Sequence, residues 1–436
     1  MRAVLLTSTA LLIGTAAMAQ TVVNVPLGAS IQAAINSAPG GSTIQLAAGT
    51  YTSQQFQLPS GDTITGAPGG GTILNGNGMT SPMLSANGAT NVTVSDLTVT
   101  GYQTPSQQGA IHTGANWSLL NVTATGNGAA GAYIGGVNNL VQGGSYSNNG
   151  QEGLAGSQAD GSKIIGITAN NNNAAGAYDT AFEAGGVKIT ATDGLTISGS
   201  TFQGNNGPGI WADIDSSNWT ITGNGIANNT GAGIQYEISH TATITGNLVV
   251  NNQGSQIYIS NSDGSVISGN GVVAPGTLTG PAVGGGIVLW SNQRSDSSDL
   301  SENDSVTNNT IVGPASTTGA FSVVGTQPGN TVANNTFEAA GAAGNAAAAA
   351  AAKTAAPAPA PAPAAQIAAV PQQSNAPQTS NAPPAIPQSL APAASALDQS
   401  AVPASTPAAA PAIPASAPAR LASAPSALPA ACTFGN

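Results

Sequence analysis

Charge is scarce in this chain, and positive charge is scarcest. Only 5% of its 436 residues are charged, and just six are lysine or arginine. Residues 20–338 contain three basic and sixteen acidic side chains, a net charge of −13. Nucleic-acid binding depends on contacts between lysine or arginine and phosphate. The sequence therefore excludes nucleic acid as a partner, and a polyanionic sugar would bind only through a bridging cation such as Ca²⁺.

Long apolar runs are absent after the first nineteen residues. Arg2 precedes a short apolar stretch at residues 4–14, and a small-x-small cleavage site ends at Ala19. This order is typical of a secretory signal peptide at residues 1–19. The apolar stretch is too short to cross a bilayer. We expect an exported protein, whether secreted, periplasmic or at the cell surface, with no membrane insertion.

Cysteine and several catalytic motifs are also missing. Cys432 is the only cysteine, so no intramolecular disulfide can form. The sequence has no glycine-rich phosphate loop, no zinc-like spacing of cysteine and histidine, and no recognisable serine–histidine–aspartate order. The chain is therefore not a disulfide scaffold, in spite of its predicted export.

Glycine and asparagine are abundant instead, and they recur at a fixed interval. Tetrapeptides of the type Ile-Thr/Ser-Gly-Asn end at Asn224, Asn247 and Asn270, 23 residues apart. Each unit has two short alternating strands separated by Gly/Asn turns, and it cannot bury its own apolar face. We therefore expect stacked coils between residues 91 and 337, with parallel strands and asparagine ladders at the turns.

Residues 24–80 are predicted to form the entrance to this solenoid. Ile31 and Ile35 lie four residues apart on a short amphipathic helix, which Pro39 ends. A strand is expected at 42–46. A helix at this place would cover the open apolar end of the first coil.

The repeat and the entrance segment AAIN…PGGSTIQLAAGTY resemble the pectate-lyase-like superfamily over residues 24–338. The resemblance implies an all-β fold, a right-handed parallel β-helix solenoid with a short N-terminal capping helix, at residues 20–338. It also implies a polysaccharide partner. The superfamily includes lyases, glycoside hydrolases, epimerases, tailspikes and adhesins, so the fold alone names no reaction. The Tyr-Gly-x-Asp-Pro-His motif of alginate epimerases and the Gly-His-Gly element of polygalacturonase-like hydrolases are absent.

The composition changes abruptly after Glu338. Residues 339–436 are rich in alanine and proline and lack the large apolar side chains that a core requires. We predict a disordered tail with extended Ala-Pro segments, in which residues 346–353 form a transient helical turn. Such a tail would act as a spacer or tether for association with a cell surface.

Two coils exceed the 23-residue period. One spans residues 162–194 and contains AYDTAFEAGG, and the other spans 272–304 and carries Trp290 and Arg294. Long excursions on a solenoid often form the walls of a binding groove.

The stretch from residue 183 to residue 240 concentrates the rare charged and aromatic side chains on three adjacent coils. Alternation along strands that start at Val187, Ile210 and Ile234 directs every second residue outward. Outward columns then hold Lys188, Trp211 and Gln235, next Thr190, Asp213 and Glu237, and next Thr192, Asp215 and Ser239, with Glu183 and His240 at the ends.

Asp213, Asp215 and Glu237 are the expected catalytic carboxylates. Carboxyl groups this close raise one another's pKa, which keeps one of them protonated as a general acid. Hydrolysis of a glycan is slightly favoured, because few basic residues are available to bind a uronate chain. Both the retaining and the inverting carboxyl separations are within reach. The expected substrate-binding residues are Trp211, Glu183, Gln235 and His240.

Two alternatives stay open. The three carboxylates could hold Ca²⁺ through oxygen ligands. Lys188 would then remove the C5 proton of a uronide, as the resemblance to calcium-dependent lyases implies. The other alternative is a non-catalytic, adhesin-like β-helix that binds a surface glycan, with the tail as its stalk.

Overall fold

A computed structural model describes the chain at residues 20–80, 88–274, 285–293, 299–313, 321–324 and 328–355. The predicted signal peptide, Arg294 and the tail beyond Ala355 lie outside these residues. In the described part the chain is almost entirely β-structure, with two helices. Neither helix is both long and apolar enough to cross a membrane.

Thirty-two short strands in the described part, numbered in chain order, form three parallel sheets that we call A, B and C. Sheet A has thirteen strands. They are β1 Val22–Val25, β2 Thr43–Leu46, β4 Thr63–Thr65, β6 Thr93–Ser95, β9 Ser118–Leu120, β12 Leu140–Gln142, β14 Lys163–Ile165, β16 Thr196–Ser198, β19 Thr220–Thr222, β22 Thr243–Thr245, β25 Val266–Ser268, β28 Ser305–Thr307 and β31 Thr331–Ala333.

Sheet B has two stretches of four and six strands, which single bridges at Ser145 and Thr168 connect. The four are β3 Gly49–Thr52, β5 Thr72–Asn75, β7 Thr98–Thr100 and β10 Thr123–Thr125. The six are β17 Thr201–Gln203, β20 Gly225–Ala227, β23 Leu248–Val250, β26 Gly271–Val273, β29 Thr310–Gly313 and β32 Thr336–Ala339.

Sheet C has nine strands and carries the candidate site. They are β8 Gly109–His112, β11 Ala130–Gly135, β13 Glu152–Ser157, β15 Gly185–Thr190, β18 Ile210–Asp213, β21 Ile234–Glu237, β24 Ile257–Ser260, β27 Ile287–Trp290 and β30 Phe321–Val324.

Equivalent positions of successive coils pair in parallel register. In sheet A, for example, Ile197 pairs with Ile221 and Ile221 with Ile244, and all three side chains are fully buried. About 12 right-handed turns stack in this way. The stack creates one continuous aliphatic core that no single coil could bury. The expected all-β right-handed parallel solenoid is confirmed.

Buried asparagines hold the coils together at two corners, as the repeat predicted. Asn224 donates from Nδ2 to Asn247 Oδ1 at 3.0 Å and to the Ile197 carbonyl at 3.0 Å, and its backbone N–H donates to the same Asn247 oxygen at 3.0 Å. Each ladder satisfies backbone groups that the corner would otherwise leave unpaired. The ladders consist of Asn127, Asn149, Asn172, Asn205, Asn229 and Asn252, and of Asn224, Asn247, Asn270, Asn309 and Asn335.

The first coil is covered as predicted. Helix α1 spans Ile31–Ser37, and Ser30 Oγ accepts a hydrogen bond from the Ala33 N–H at its N-terminus. Ile31 and Ile35 are buried against the core. The helix therefore shields the apolar end of the solenoid from water.

A second helix occupies the beginning of the segment that is predicted to be disordered, so the predicted disorder starts too early in the chain. Helix α2 spans Ala342–Ala355, within the segment that the sequence assigned to a disordered tail. It packs on the outer face of sheet B, where Val250, Val273 and Val312 form an apolar stripe with the buried Ala348. The three valines of this stripe lie on different coils and precede the alanine run in the chain. The composition of the run alone could therefore not reveal that it packs against them. The disorder of residues 356–436 stays a prediction.

We expect Asn247→Ala to destabilise the fold by on the order of 3 kcal/mol, because it leaves several buried donors and acceptors without partners. Chemical denaturation followed by circular dichroism measures the change. Gln253→Ala, at an exposed position of the same repeat, should cost less than about 0.5 kcal/mol. Equal losses in the two variants would show that the ladder contributes nothing specific.

A buried carboxyl stands in a ladder position near the C-terminal coils. Asp304 is 1% exposed, and its Oδ1 accepts a hydrogen bond from the Ser265 N–H at 2.8 Å. Its Oδ2 is buried and has no hydrogen-bond partner among the described residues. Burial raises the pKa of Asp304 to about 7; the Ser265 hydrogen bond opposes this, and the charges of Asp263 and Glu302 add to it. The folded state therefore favours the protonated carboxyl.

This carboxyl should make stability depend on pH. Because the folded-state pKa lies above the ordinary value of 3.8, the group's stabilisation is complete below about pH 4 and is lost as pH rises through about 7. Asp304→Asn removes the ionisation and keeps the acceptor. We expect this variant to exceed wild type by on the order of 3 kcal/mol at pH 8, with the gap closing towards pH 4. The exposed Asp215→Asn is the control in the same denaturation series, and a gap independent of pH would contradict the assignment.

Candidate functional site

The outer face of sheet C brings five of the predicted site residues together. Trp211 pairs with Lys188 on one side and with Gln235 on the other. Asp213 and Glu237 each follow two residues later on strands β18 and β21, so they are also neighbours on this face. Adjacent parallel strands lie about 4.8 Å apart. We call these five residues the carboxylate patch.

Lys188 is the centre of the patch. Its Nζ lies 3.0 Å from Asp213 Oδ2 and 3.7 Å from the centroid of the Trp211 ring. It also donates to the backbone carbonyl of Phe182 at 2.5 Å. The side chains of Lys188 and Asp213 are only 13% and 10% exposed. An ion pair so poorly hydrated is screened much less than a surface pair, so each partner depends on the other.

Asp213 has the pKa shift expected of a candidate general acid. Burial raises the pKa of its carboxyl, and the negative charge of Glu237 adds to the increase. Lys188 and the Ile214 N–H, which donates to Asp213 Oδ1 at 3.0 Å, oppose the increase without cancelling it. Glu237 accepts a hydrogen bond from Gln235 Nε2 at 2.8 Å. Two neighbouring carboxyls therefore lie in different environments, as acid–base pairs require.

Trp211 faces outward but is not an open sugar platform. The residue is 2% exposed. Lys188 covers one face of its ring. Its buried indole Nε1 has no hydrogen-bond partner among the described residues. Trp211, which the sequence predicts to bind substrate, therefore offers little open ring surface to a sugar, because its neighbours on the crowded sheet face cover it.

Asp215 does not join the patch. Ile214 and Asp215 have φ values of 46° and 53°, so the chain leaves the strand here and its alternation ends. Ile214, predicted to point inward, is 51% exposed, and Asp215 is exposed as well. Ser216 takes the buried position, since its Oγ accepts from the Thr192 N–H. Relative to regular strand alternation, the corner therefore contains one additional residue, Asp215.

The predicted calcium ligands therefore do not converge. No group of three or more histidine, cysteine, aspartate or glutamate side chains in the described part of the chain could hold a metal ion. With Asp215 outside the patch, Asp213 and Glu237 remain as a pair. Ca²⁺ usually takes six to eight oxygen ligands, and the patch supplies too few carboxylates for such a site.

His240 lies around the corner from the patch. It forms parallel β-bridges with Ser217 of the preceding coil and with Asp263 of the following coil. Its Nδ1 lies 2.6 Å from Asp263 Oδ1. The sequence predicts His240 at the end of the patch, but strand β21 ends at Glu237 and the chain turns at Ile238, whose φ is 47°.

Glu183 belongs to the wall of the site. It lies in the excursion at residues 171–184, and its carboxylate accepts hydrogen bonds from Ser106 Oγ and from Gln151 Nε2. Tyr178 OH in the same excursion donates to the Gly128 carbonyl at 3.1 Å. The excursion thus folds back over the strands of earlier coils. Glu183 anchors the excursion to these coils, and its role as the wall of a binding groove stays a prediction.

Glu152 is a site residue that the sequence did not reveal. It is 1% exposed at the start of β13. Burial raises its pKa well above the ordinary value; the positive charge of Lys188 opposes the increase and the negative charge of Glu183 adds to it. Its local sequence, Gln-Glu-Gly-Leu, carries no motif. At this position β13 pairs with β15 of the next coil, and the carboxyl is buried in the folded solenoid.

Two exposed apolar side chains, Phe182 and Ile214, flank the patch, and neither is among the site residues that the sequence predicts. Phe182 is 61% exposed, and Lys188 Nζ lies 5.4 Å from the centroid of its ring. Ile214 adjoins Asp213 and is 51% exposed. The signal for Phe182 was present in the long excursion, AYDTAFEAGG. Regular alternation along the strand predicts that Ile214 is buried in the core, so the sequence gives no signal for its exposure.

Comparison with known proteins identifies the architecture. A family model described as "Right handed beta helix region" matches residues 108–272, which include the whole patch. The described part of the chain has the right-handed parallel β-helix fold. A search of curated proteins found no match to it.

Solved structures to which this chain is similar include proteins of different functions. A PL6 family alginate lyase has a TM-score of 0.51 at 16% identity, covering 73% of this chain and 53% of that chain. The Dettilon tailspike protein has a TM-score of 0.51 at 13% identity, covering 71% and 64%. The A-module of an Azotobacter vinelandii mannuronan C-5 epimerase has a TM-score of 0.46 at 19% identity, covering 72% and 94%. The chain spans about half the length of the lyase and under two thirds of the tailspike, and the likeness shows the fold alone.

Lys188→Met should raise the pKa of Asp213, because it removes the nearby positive charge that opposes the effect of burial. It should also destabilise the protein by on the order of 2 kcal/mol, since Asp213 would lose its charged partner. Carboxyl-carbon NMR titration measures the first effect, and thermal unfolding the second. The matched control is Lys163→Met, at an exposed lysine of β14. An unchanged Asp213 titration would refute the coupling.

Proposed function

We propose that this β-helix protein binds a polysaccharide along the outer face of sheet C and hydrolyses it at Asp213 and Glu237. The observation that carries the proposal is the pair of neighbouring carboxyls, one of which has a pKa raised by burial. The alginate lyase that shares the fold acts, by its name, on a polysaccharide, and this supports a glycan as the substrate class. The scarcity of basic residues favours a neutral or weakly charged glycan.

Each carboxyl has a distinct role in this proposal. Asp213, whose pKa is raised by burial, is the general acid and donates a proton to the glycosidic oxygen as the bond to the leaving sugar breaks. Glu237, which accepts a hydrogen bond from Gln235, acts on the anomeric carbon or on the attacking water. Neighbouring strands about 4.8 Å apart favour the short carboxyl separation of about 5–5.5 Å that retaining enzymes use. Retention of configuration is therefore the favoured outcome.

The apolar flanks would hold the sugar rings. Phe182 and Ile214 are exposed on either side of the ion pair, and sugars present apolar faces of C–H groups to such surfaces. The excursion at residues 171–184 would limit one end of the groove. Lys188 keeps Asp213 in place and links it to this excursion through the Phe182 carbonyl.

Elimination by Lys188 is less well supported. A general base must have a free lone pair, whereas the Lys188 ammonium donates to Asp213 and to the Phe182 carbonyl. The absence of a third carboxylate at the patch also weakens the calcium-dependent version. A binding protein without catalysis remains as an outcome of the experiment below. Export, and attachment to a cell surface through the tail, are further parts of the proposal.

Asp213→Asn and Glu237→Gln should each lower turnover by at least about 100-fold, because each removes an acid–base or nucleophilic group. A panel of neutral and acidic glycans is incubated with the pure protein, and new reducing ends are measured. The matched control is Asp215→Asn, which should keep activity within about twofold, since this exposed carboxylate lies off the patch.

Three results would contradict the hydrolase. Full activity of both patch variants would reject the site. Ultraviolet absorbance from a conjugated alkene among the products would show elimination instead. Glycan binding that persists in both variants, with no new reducing ends from the wild-type protein, would indicate a binding protein.

A further inference from the structure

The two ends of the solenoid differ in how their apolar core is covered. At the N-terminal end, helix α1 covers the first coil with Ile31 and Ile35. At the other end, β30, β31 and β32 are the last strands of sheets C, A and B in the described part of the chain. Such edge strands present backbone donors and acceptors that another strand can pair with.

The side chains that continue the core into this last coil are partly exposed to solvent. Val332 pairs with Val306, and Phe337 pairs with Ile311. Val306 and Ile311 are 0% and 1% exposed, whereas Val332 and Phe337 are each 44% exposed. The same side of the coil is therefore a buried core in one turn and an open apolar surface in the next. We call Val332, Phe337 and the three last strands the terminal face.

Helix α2 does not cover the terminal face. Its first turn lies over β29, where Gly344 is close to a Val312 methyl group, and Ala348 lies over Gly271 of β26. The helix also contacts β23. It therefore runs backwards along the side of the solenoid. The chain leaves the helix at Ala355, three coils away from the terminal face.

The rest of the tail is a poor match for an open strand edge. Seventeen prolines lie from Pro357 to Pro429, at most eleven residues apart. Proline lacks the N–H that a strand ladder needs. The terminal face, in turn, lacks the lysines that commonly guard an edge, since Glu338 is the only charged residue between 321 and 339.

We propose that the terminal face docks on the terminal face of a second copy of this chain, as a two-fold homodimer. A second copy offers a coil of identical size, with three unpaired strands and the same open apolar side chains. A two-fold contact uses the same patch on both copies and closes after two, so it ends the stack and does not build a filament. Val332 and Phe337 would become buried, like Val306 and Ile311 one turn earlier.

Sedimentation equilibrium of the full chain tests the proposal, in reducing buffer so that Cys432 cannot link copies. We expect a concentration-dependent dimer. Phe337→Lys and Val332→Asp should each raise the dissociation constant at least about tenfold, because they place a charge in a desolvated contact. The matched control is Val266→Asp, at a 41% exposed valine on the side of the solenoid, and it should leave dimerisation unchanged. Circular dichroism and thermal unfolding verify that each variant is folded.

Hydrogen–deuterium exchange of the wild-type chain distinguishes the occupants. Amides of β31 and β32 should exchange more slowly as protein concentration rises. Protection that is strong at every concentration, in a monomer, would show that the chain's own tail covers the face and would overturn the dimer. A monomer without such protection would overturn it as well, and so would a dimer that both terminal-face variants leave intact.

Discussion

Register between successive coils is the constraint on which the structure depends. A parallel strand ladder tolerates no slip here, since a shift by one residue would turn the buried side chains outward. The asparagine ladders hold that register at two corners, because each amide pairs with the backbone of the preceding coil and with the amide of the next coil. The aliphatic core can then be narrow and uniform. The outer face of sheet C inherits the same order, and so its side chains form columns.

The scarcity of charge gives the few charges present a large effect. With three basic residues between 20 and 338, Lys188 has little competition for the carboxylates around it. It neutralises Asp213, influences the buried Glu152 and covers Trp211. Because these contacts are poorly hydrated, electrostatic interactions within the patch exceed those of ordinary surface pairs. The excursion at residues 171–184 supplies this desolvation by folding back across earlier coils.

Apolar surface is covered in different ways on the sides and at the ends of the solenoid. On the side, the apolar stripe of sheet B is covered by α2, an alanine-rich helix that can approach closely because Gly271 has no Cβ. At the N-terminal end, α1 covers the core. The C-terminal end has neither device among the described residues. The alanine run that looked like the start of a featureless tail is thus partly structural.

Sequence periodicity alone determined the parallel strands, the asparagine ladders, the capping helix and the adjacency of Lys188, Trp211, Asp213 and Glu237. The capping helix follows from the four-residue spacing of Ile31 and Ile35, and the other features follow from the 23-residue spacing and from strand alternation. All of these are rules of sequence spacing. The tertiary structure decided the rest. Ile214 and Asp215 lie at a left-handed corner, where alternation ends, and one inserted residue changes which side chains face the site. Burial of Glu152 and Trp211, the anchoring of Glu183 and the docking of α2 all come from contacts between coils far apart in sequence. No local pattern encodes them, because desolvation depends on what folds over a residue and not on its neighbours in the chain.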